Sequence, residues 1–101
     1  MNTTSSSFGI DGEFTIYRAV ELAAAMKAAL AAVPDGGALE VDLSEVAEMD
    51  SAGVQLLLAA KRSADESGRA LRVAGRSAAV SEVLAILRLT DHFGEALAQA
   101  N

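Results

Sequence analysis

The segment Asp50-Ser51-Ala52-Gly53 combines a carboxylate, a hydroxyl and two small residues just ahead of a helical apolar pattern. At the start of a helix, free backbone N–H groups and the positive end of the helix dipole favour a negative charge. A phosphoryl group on the Ser51 hydroxyl would place about −1.5 to −2 charges in that field. The segment therefore fits a phosphate acceptor at Ser51.

A purely structural interpretation of the same segment is equally open. Asp50 or Ser51 would then only cap the helix, as such residues do in many proteins. Ala52 and Gly53 would serve close packing, because they carry little or no side chain. The pattern alone does not separate the two interpretations.

Catalytic chemistry finds no support elsewhere in the chain. His92 is the one imidazole and there is no Cys, so a nucleophile with its base is not evident. The sequence has no glycine-rich phosphate loop and no dinucleotide fingerprint, and its many carboxylates fit a solvated acidic face. We therefore expect a protein that is not an enzyme, with no metal site and no cofactor.

Charge and composition limit the classes of partner that the protein is expected to bind. The 101 residues carry 8 Lys and Arg against 14 Asp and Glu, a net charge of −6, which argues against nucleic acid. The apolar stretch at residues 22–33 is too short to span a bilayer, so direct membrane insertion is not expected. The absence of Cys fits a reducing compartment and predicts a cytoplasmic protein.

The elements that would position the segment follow from periodicity. Residues 1–7 are predicted to be a disordered tail, and residues 8–101 a single domain. Apolar residues on both sides of Asp11-Gly12 predict a short hairpin. Spacings of four, four and three predict a helix over 19–33, and alternation predicts a strand over 39–43 with one polar face.

The second half alternates in the same way. A loop over 44–48 leads to a helix over 51–66 with Asp50 as its N-cap, and a strand over 70–74 precedes a helix capped by Ser77. Leu89, Phe93 and Leu97 fit a last packing turn. The order predicts an α/β protein with a small mixed sheet, parallel in part, and about four helices.

Three segments of this chain, 12–17, 41–53 and 71–80, together resemble the STAS domain family of sulfate transporters and anti-sigma factor antagonists. The resemblance implies the STAS fold and a non-catalytic switch in bacterial signal transduction. In such a switch, a kinase that is also the binding partner phosphorylates a hydroxyl in the Asp-Ser-x-Gly loop, and phosphate abolishes binding. The residues implied in partner binding are Thr15, Tyr17, Asp50, Ser51, Ala52, Gly53 and Gln55.

The pattern of residues differs from that of one kind of STAS protein and is similar to that of two others. Sporulation-type antagonists usually carry the acceptor hydroxyl just before the glycine, where this chain has Ala52, and they carry an Asp where this chain has Thr15. The Asp-Ser-Ala-Gly order is more similar to short free-standing STAS proteins of chemotaxis-type gene clusters. It is also similar to the STAS subunit that docks on the ATPase of phospholipid-trafficking ABC transporters. The resemblance implies as partner a Ser/Thr kinase-like anti-sigma factor or a related signalling ATPase, with the transporter ATPase as the alternative.

Overall fold

A computed structural model describes residues 5–93, which alternate three strands with three α-helices. The strands are β1 (Ser5–Phe14), β2 (Ala38–Met49) and β3 (Ala70–Arg76). The helices are α1 (Ala19–Ala31), α2 (Ser51–Glu66) and α3 (Ala78–Ile86), and a short 3₁₀ helix, Ile16–Arg18, joins β1 to α1. The predicted α/β class is confirmed.

The described strands form one sheet in the order β1-β2-β3, and both pairings are parallel. The sheet within residues 5–93 is therefore parallel rather than mixed, and it carries three α-helices rather than about four. Successive right-handed crossovers in one direction place α1 and α2 on the same face of the sheet. This arrangement brings the end of β1 close to the start of α2.

The predicted hairpin at Asp11-Gly12 is wrong, because β1 continues through this dipeptide and pairs with β2 on both sides of it. Gly12 has a φ of 69°, and the pairing register shifts between Gly12 and Glu13. The dipeptide thus supplies a left-handed backbone position to an irregularity inside a strand instead of to a turn.

The start of β1 also corrects the predicted tail. Ser5, Ser6 and Ser7 lie in the strand and pair with Ala38, Leu39 and Glu40 of β2. Residues 1–4 of the predicted tail lie outside the described part of the chain. The polar sequence gave no hint of this pairing because main-chain hydrogen bonds at a sheet edge do not need apolar side chains.

β2 is longer than its alternating pattern predicts, since residues 44–48 continue the strand instead of forming a loop. β3 pairs with β2 only as far as Leu43, and beyond that point only β1 continues alongside. Side chains there are mostly exposed, with Val46 buried among them. This polar composition is what made the segment resemble a loop.

The core lies between the helices and one face of the sheet. Leu39, Val41 and Leu43 are fully buried, while the intervening Glu40 and Asp42 are half-buried and exposed, which confirms the predicted polar face. The predicted helical stripe is buried as well and comprises Leu22, Met26, Leu30 and Val33. Each such side chain contributes roughly 1.5–3 kcal/mol through its removal from water.

The structure confirms both predicted helix caps. The Asp50 carboxylate accepts hydrogen bonds at the start of α2, and the Ser77 hydroxyl accepts one from the Val80 N–H at 3.2 Å. After α3, Phe93 is buried and its carbonyl accepts from the Val73 N–H at 3.1 Å. Leu97 lies beyond the described residues. Within residues 5–93, no helix has the length and apolar character needed to cross a bilayer.

Candidate functional site

The Asp50 carboxylate joins two connections of the chain. One oxygen accepts from the N–H groups of Ala52 and Gly53 at 3.0 and 3.2 Å, which caps α2. The other accepts from the Ile16 N–H at 3.1 Å, in the 3₁₀ helix that follows β1. A single side chain therefore fixes the position of the β1–α1 connection relative to the start of α2.

These hydrogen bonds also determine the charge of Asp50. The Ile16 N–H, and after it those of Gly53 and Ala52, hold the pKa of the Asp50 carboxyl below its usual range, because each bond favours the ionised form. The Asp50 carboxylate consequently keeps its negative charge to lower pH than an ordinary aspartate does. A second anion brought next to it would meet like-charge repulsion.

Gly53 allows α2 to approach the end of β1. A Cβ built on Gly53 would collide with the carbonyl oxygen of Phe14, and Phe14 itself is fully buried. The Asp50 N–H also donates to that carbonyl, at 3.4 Å. The close packing that the sequence offered as a structural interpretation is therefore present at Gly53.

Ser51 is the first residue of α2, and it is exposed. Gln55, four residues further along the helix, is exposed too, and this spacing places both side chains on one face. Ala52 is half-buried. Around the helix, it lies between these two exposed residues and Gly53, which packs against Phe14. Ser51 is thus accessible to solvent, and Gln55 extends the same surface.

Thr15 lies beside this site with little of its surface exposed. Its side chain is buried, with 6% of the residue exposed, and its hydroxyl accepts from the Tyr17 N–H at 3.4 Å as the N-cap of the 3₁₀ helix. Its hydroxyl therefore helps to shape the Ile16–Arg18 turn, and a contact between Thr15 and a partner stays a prediction.

Large apolar side chains beside the site were missed by the sequence analysis. Tyr17 was included, and it is 87% exposed, but Ile16 and Val20 are also open to solvent, at 62% and 86%. The signal was available, since both residues lie outside the apolar stripe that α1 buries. Large apolar residues that cannot reach a core are candidates for an interaction surface.

His92, the other residue considered for catalytic or metal chemistry, is not part of this site. His92 packs its ring edge-on against Phe93, with the ring centroids 5.0 Å apart. In the part of the chain that the structure describes, no group of three or more His, Asp or Glu side chains is arranged to hold a metal ion. The residues that converge are those around Asp50.

A family model described as "Mlab, STAS domain" matches residues 4–98. The chain belongs to the STAS family. This confirms the resemblance, and with it the predicted STAS fold. The search of curated proteins finds no significant match.

Solved structures similar to this STAS domain come from transporters and from an anti-sigma system. A sulfate transporter family protein of Wolinella succinogenes has a TM-score of 0.69 at 18% identity, over 93% of this chain and 76% of its own. The SulP transporter STAS domain of Vibrio cholerae gives 0.65 at 20%, over 93% and 71%. The anti-sigma factor antagonist SpoIIAA in its unphosphorylated form gives 0.68 at 20%, over 88% and 76%. At these identities the likeness concerns the fold.

Proposed function

We propose that this STAS domain is a non-catalytic regulator that binds a protein partner through the segment 50–53, and that phosphorylation of Ser51 switches the binding. The observation that carries the proposal is the position of Ser51: an exposed hydroxyl next to the carboxylate that joins two connections. The exposed side chains of Tyr17, Ser51 and Gln55 would contact the partner.

Electrostatics explains how a phosphate would act there. The carboxylate of Asp50 already occupies the N–H groups of Ala52 and Gly53, which are the donors that a helix start offers to an anion. A phosphate on Ser51 would compete for these donors and repel Asp50. Because Asp50 also holds the Ile16 N–H, the disturbance would reach the exposed turn after β1. The partner would then meet an altered and more negative surface.

The proposed partner is a Ser/Thr kinase-like anti-sigma factor or a related signalling ATPase in the bacterial cytoplasm. STAS domains generally act as regulatory domains that mediate protein–protein interactions, and one of the structural neighbours is an anti-sigma factor antagonist. A partner that is also the kinase must reach the Ser51 hydroxyl when it binds. The exposure of Ser51 meets this requirement.

The test is affinity capture from native lysate with the wild type, Ser51→Ala and Ser51→Asp in parallel. Mass spectrometry identifies the bound proteins and measures the phosphate occupancy of Ser51. We expect the wild type and Ser51→Ala to retain a kinase-like ATPase and Ser51→Asp to lose it by about tenfold or more. On addition of Mg²⁺ and ATP, the bound kinase should transfer the γ-phosphoryl group of ATP to the Ser51 hydroxyl, leaving ADP, and so release the wild type but not Ser51→Ala.

A matched control separates the site from the added charge. Ser63 is an exposed serine in the same helix, twelve residues from Ser51 and thus about 18 Å along its axis. Ser63→Asp should retain the partner as the wild type does. Equal loss with both Asp variants would contradict a switch at Ser51, because general repulsion would then explain the result.

A second candidate function is docking on the ATPase of a phospholipid-trafficking transporter, with Ser51 as an unmodified contact. Ala52 favours it, because Ala52 stands where sporulation-type antagonists usually carry the acceptor hydroxyl. The same capture distinguishes the two functions. A transporter ATPase that binds Ser51→Ala more weakly than the wild type, with no phosphate on Ser51, would replace the regulatory proposal.

A further inference from the structure

A groove of about 480 Å³ opens directly beside the proposed partner-binding segment. Its apolar part is formed by Met49 at the end of β2 and by Ala79 and Val83 of α3. Tyr17, which is 87% exposed, lines the groove, and Ile16 and Val20, one and three residues away along the chain, are also exposed. The groove and these three residues, together the Tyr17 surface, are continuous with the site at Asp50, which also lines the groove.

The charges around this groove have one sign. Its lining includes four carboxylates and no Lys, Arg or His. They belong to Glu13, Glu48, Asp50 and Glu82. Two are engaged within the chain: Asp50 accepts backbone N–H groups, and Glu13 lies 3.5 Å from the Thr15 hydroxyl.

Glu48 and Glu82 differ from the other two carboxylates. Both are exposed, and within residues 5–93 neither takes part in an ion pair or side-chain hydrogen bond. They come from different elements, the end of β2 and the middle of α3, and they line the same apolar groove. The groove thus offers unpaired negative charge next to apolar surface and an exposed aromatic ring.

We infer that the Tyr17 surface binds a protein segment in which a Lys or Arg side chain is flanked by apolar residues. The cation would lie between Glu48 and Glu82, near the face of the Tyr17 ring, and the flanking residues would cover Met49 and Val83. Complementary charge is what selects this occupant over an acidic or neutral segment. The inference rests on the proposed function, since it specifies the chemistry of the partner at the same site.

Titration followed by amide NMR tests this inference with a defined probe. The probe is an end-blocked peptide of sequence Gly-Leu-Arg-Phe-Arg-Leu-Gly, and its control has both arginines replaced by citrulline, which keeps the shape but removes the charge. We expect the arginine peptide to shift the resonances of Tyr17, Glu48 and Val83. We also expect it to bind about fivefold or more tightly than the citrulline peptide, an advantage that added salt should reduce.

Variants assign the effect to the two unpaired carboxylates. The double variant Glu48→Gln with Glu82→Gln should weaken binding of the arginine peptide by about fivefold and leave binding of the citrulline peptide unchanged. Glu66→Gln, which removes an exposed charge at the end of α2, should bind both peptides as the wild type does. A wild-type amide spectrum in each variant shows that the fold is intact.

A second groove lies between α1 and α2 and is lined by Met26 and Leu56. Three results would overturn the inference: equal affinity for the two peptides, shifts confined to this second groove, or equal effects of the double variant and Glu66→Gln. Failure here is distinguishable from failure of the proposed function, because the Ser51 hydroxyl is untouched. A partner lost by Ser51→Asp but retained by the double variant would leave the proposed switch standing and remove the groove from it. A partner retained by Ser51→Asp and by the double variant would contradict both the proposed switch and the inferred role of the groove.

Discussion

At the scale of single residues, Asp50 has the largest structural role in the site. Asn is as good a helix cap as Asp, so Asp50→Asn should keep the hydrogen bonds to Ala52 and Gly53. With its amide oxygen at Ala52 and Gly53, Asn places its amide nitrogen at the Ile16 N–H, from which that nitrogen cannot accept a hydrogen bond, and the charge is lost. We expect the variant to be less stable than the wild type at pH 7, measured by urea unfolding with circular dichroism.

The dependence of this loss on pH has a definite sign. The pKa of Asp50 is lowered in the folded protein, chiefly by the Ile16 N–H, so the unfolded chain binds a proton more readily. The stabilisation by the carboxylate is therefore complete above about pH 4 and is lost as the pH falls through the folded-state pKa. The unfolding free energy of Asp50→Asn should fall less steeply than that of the wild type on acidification.

A second acidic residue and a control variant show how much of this pH dependence of stability belongs to Asp50. Asp42 also has a lowered pKa, mainly through the Ser44 hydroxyl and then its N–H, and it remains in both proteins, so some slope should persist. Glu66→Gln should follow the wild-type curve. Parallel curves for the wild type and Asp50→Asn would show that the Ile16 hydrogen bond has no energetic weight.

The effect that we predict for Gly53→Ala on the unfolding free energy is opposite to the effect that helix propensity predicts. In an exposed helix, Gly→Ala stabilises by about 1 kcal/mol. Here the added Cβ would collide with the Phe14 carbonyl oxygen, a backbone atom that cannot turn aside, and overpacking costs about 1–3 kcal/mol. We expect Gly53→Ala to lower the unfolding free energy by about 1 kcal/mol or more, measured by urea unfolding. Ser63→Ala in the same helix should be neutral or stabilising, and a stabilising Gly53→Ala would refute the close approach.

Residues with a strong local role were predictable from the sequence. Asp50 and Ser77 were identified as caps because a capping side chain acts on backbone groups within three residues of itself. The hydrogen bond that the Ile16 N–H donates to Asp50 joins positions 34 residues apart, and no local pattern encodes it. The resemblance implied Thr15 as a partner contact but said nothing of its burial, which depends on what packs over it.

At the scale of elements, the sequence predicted α2 and α3 well and the strands less well. The repeat of apolar residues along a helix fixes its buried face, and caps fix its ends. A strand that pairs on one side only, as residues 44–49 do, needs few apolar side chains and so resembles a loop. The dipeptide Asp11-Gly12 correctly indicated a left-handed backbone but could not tell an irregular strand from a turn.

The end of α3 provides a test at this scale. Leu89 N–H bonds to the Leu84 carbonyl at 2.7 Å and Arg88 N–H to the Ala85 carbonyl at 3.1 Å, the Schellman pattern, with Arg88 at a φ of 59° where glycine is preferred. Arg88→Gly relieves the left-handed strain, whereas Arg88→Ala does not. Both remove the same charge, so their comparison isolates the backbone effect.

We expect Arg88→Gly to be more stable than Arg88→Ala by about 1 kcal/mol in urea unfolding. The greater freedom of glycine in the unfolded chain works against this gain but is smaller than the strain of a left-handed residue. Equal stabilities would mean that α3 ends without a left-handed residue in solution.

At the scale of the whole molecule, β2 is the element on which the rest depends. It is the central strand, and its first half is paired on both sides, with Leu39, Val41 and Leu43 fully buried. The proposed partner-binding segment, residues 50–53, begins at the residue after β2. The site therefore lies beyond the end of β2 that pairs with β1 alone, while the first half of β2 should be the last part of the strand to open.

Native-state hydrogen exchange measures this hierarchy directly. Amides in residues 39–43 of β2 should exchange only through global unfolding, because opening them requires both neighbouring strands to separate. Residues 45–49, paired with β1 alone, should open in smaller fluctuations and exchange faster. Such fluctuations next to Asp50 would let the β1–α1 connection respond to a phosphate on Ser51 without loss of the core. Equal protection along the whole of β2 would instead describe a rigid site, in which repulsion at the surface alone must release the partner.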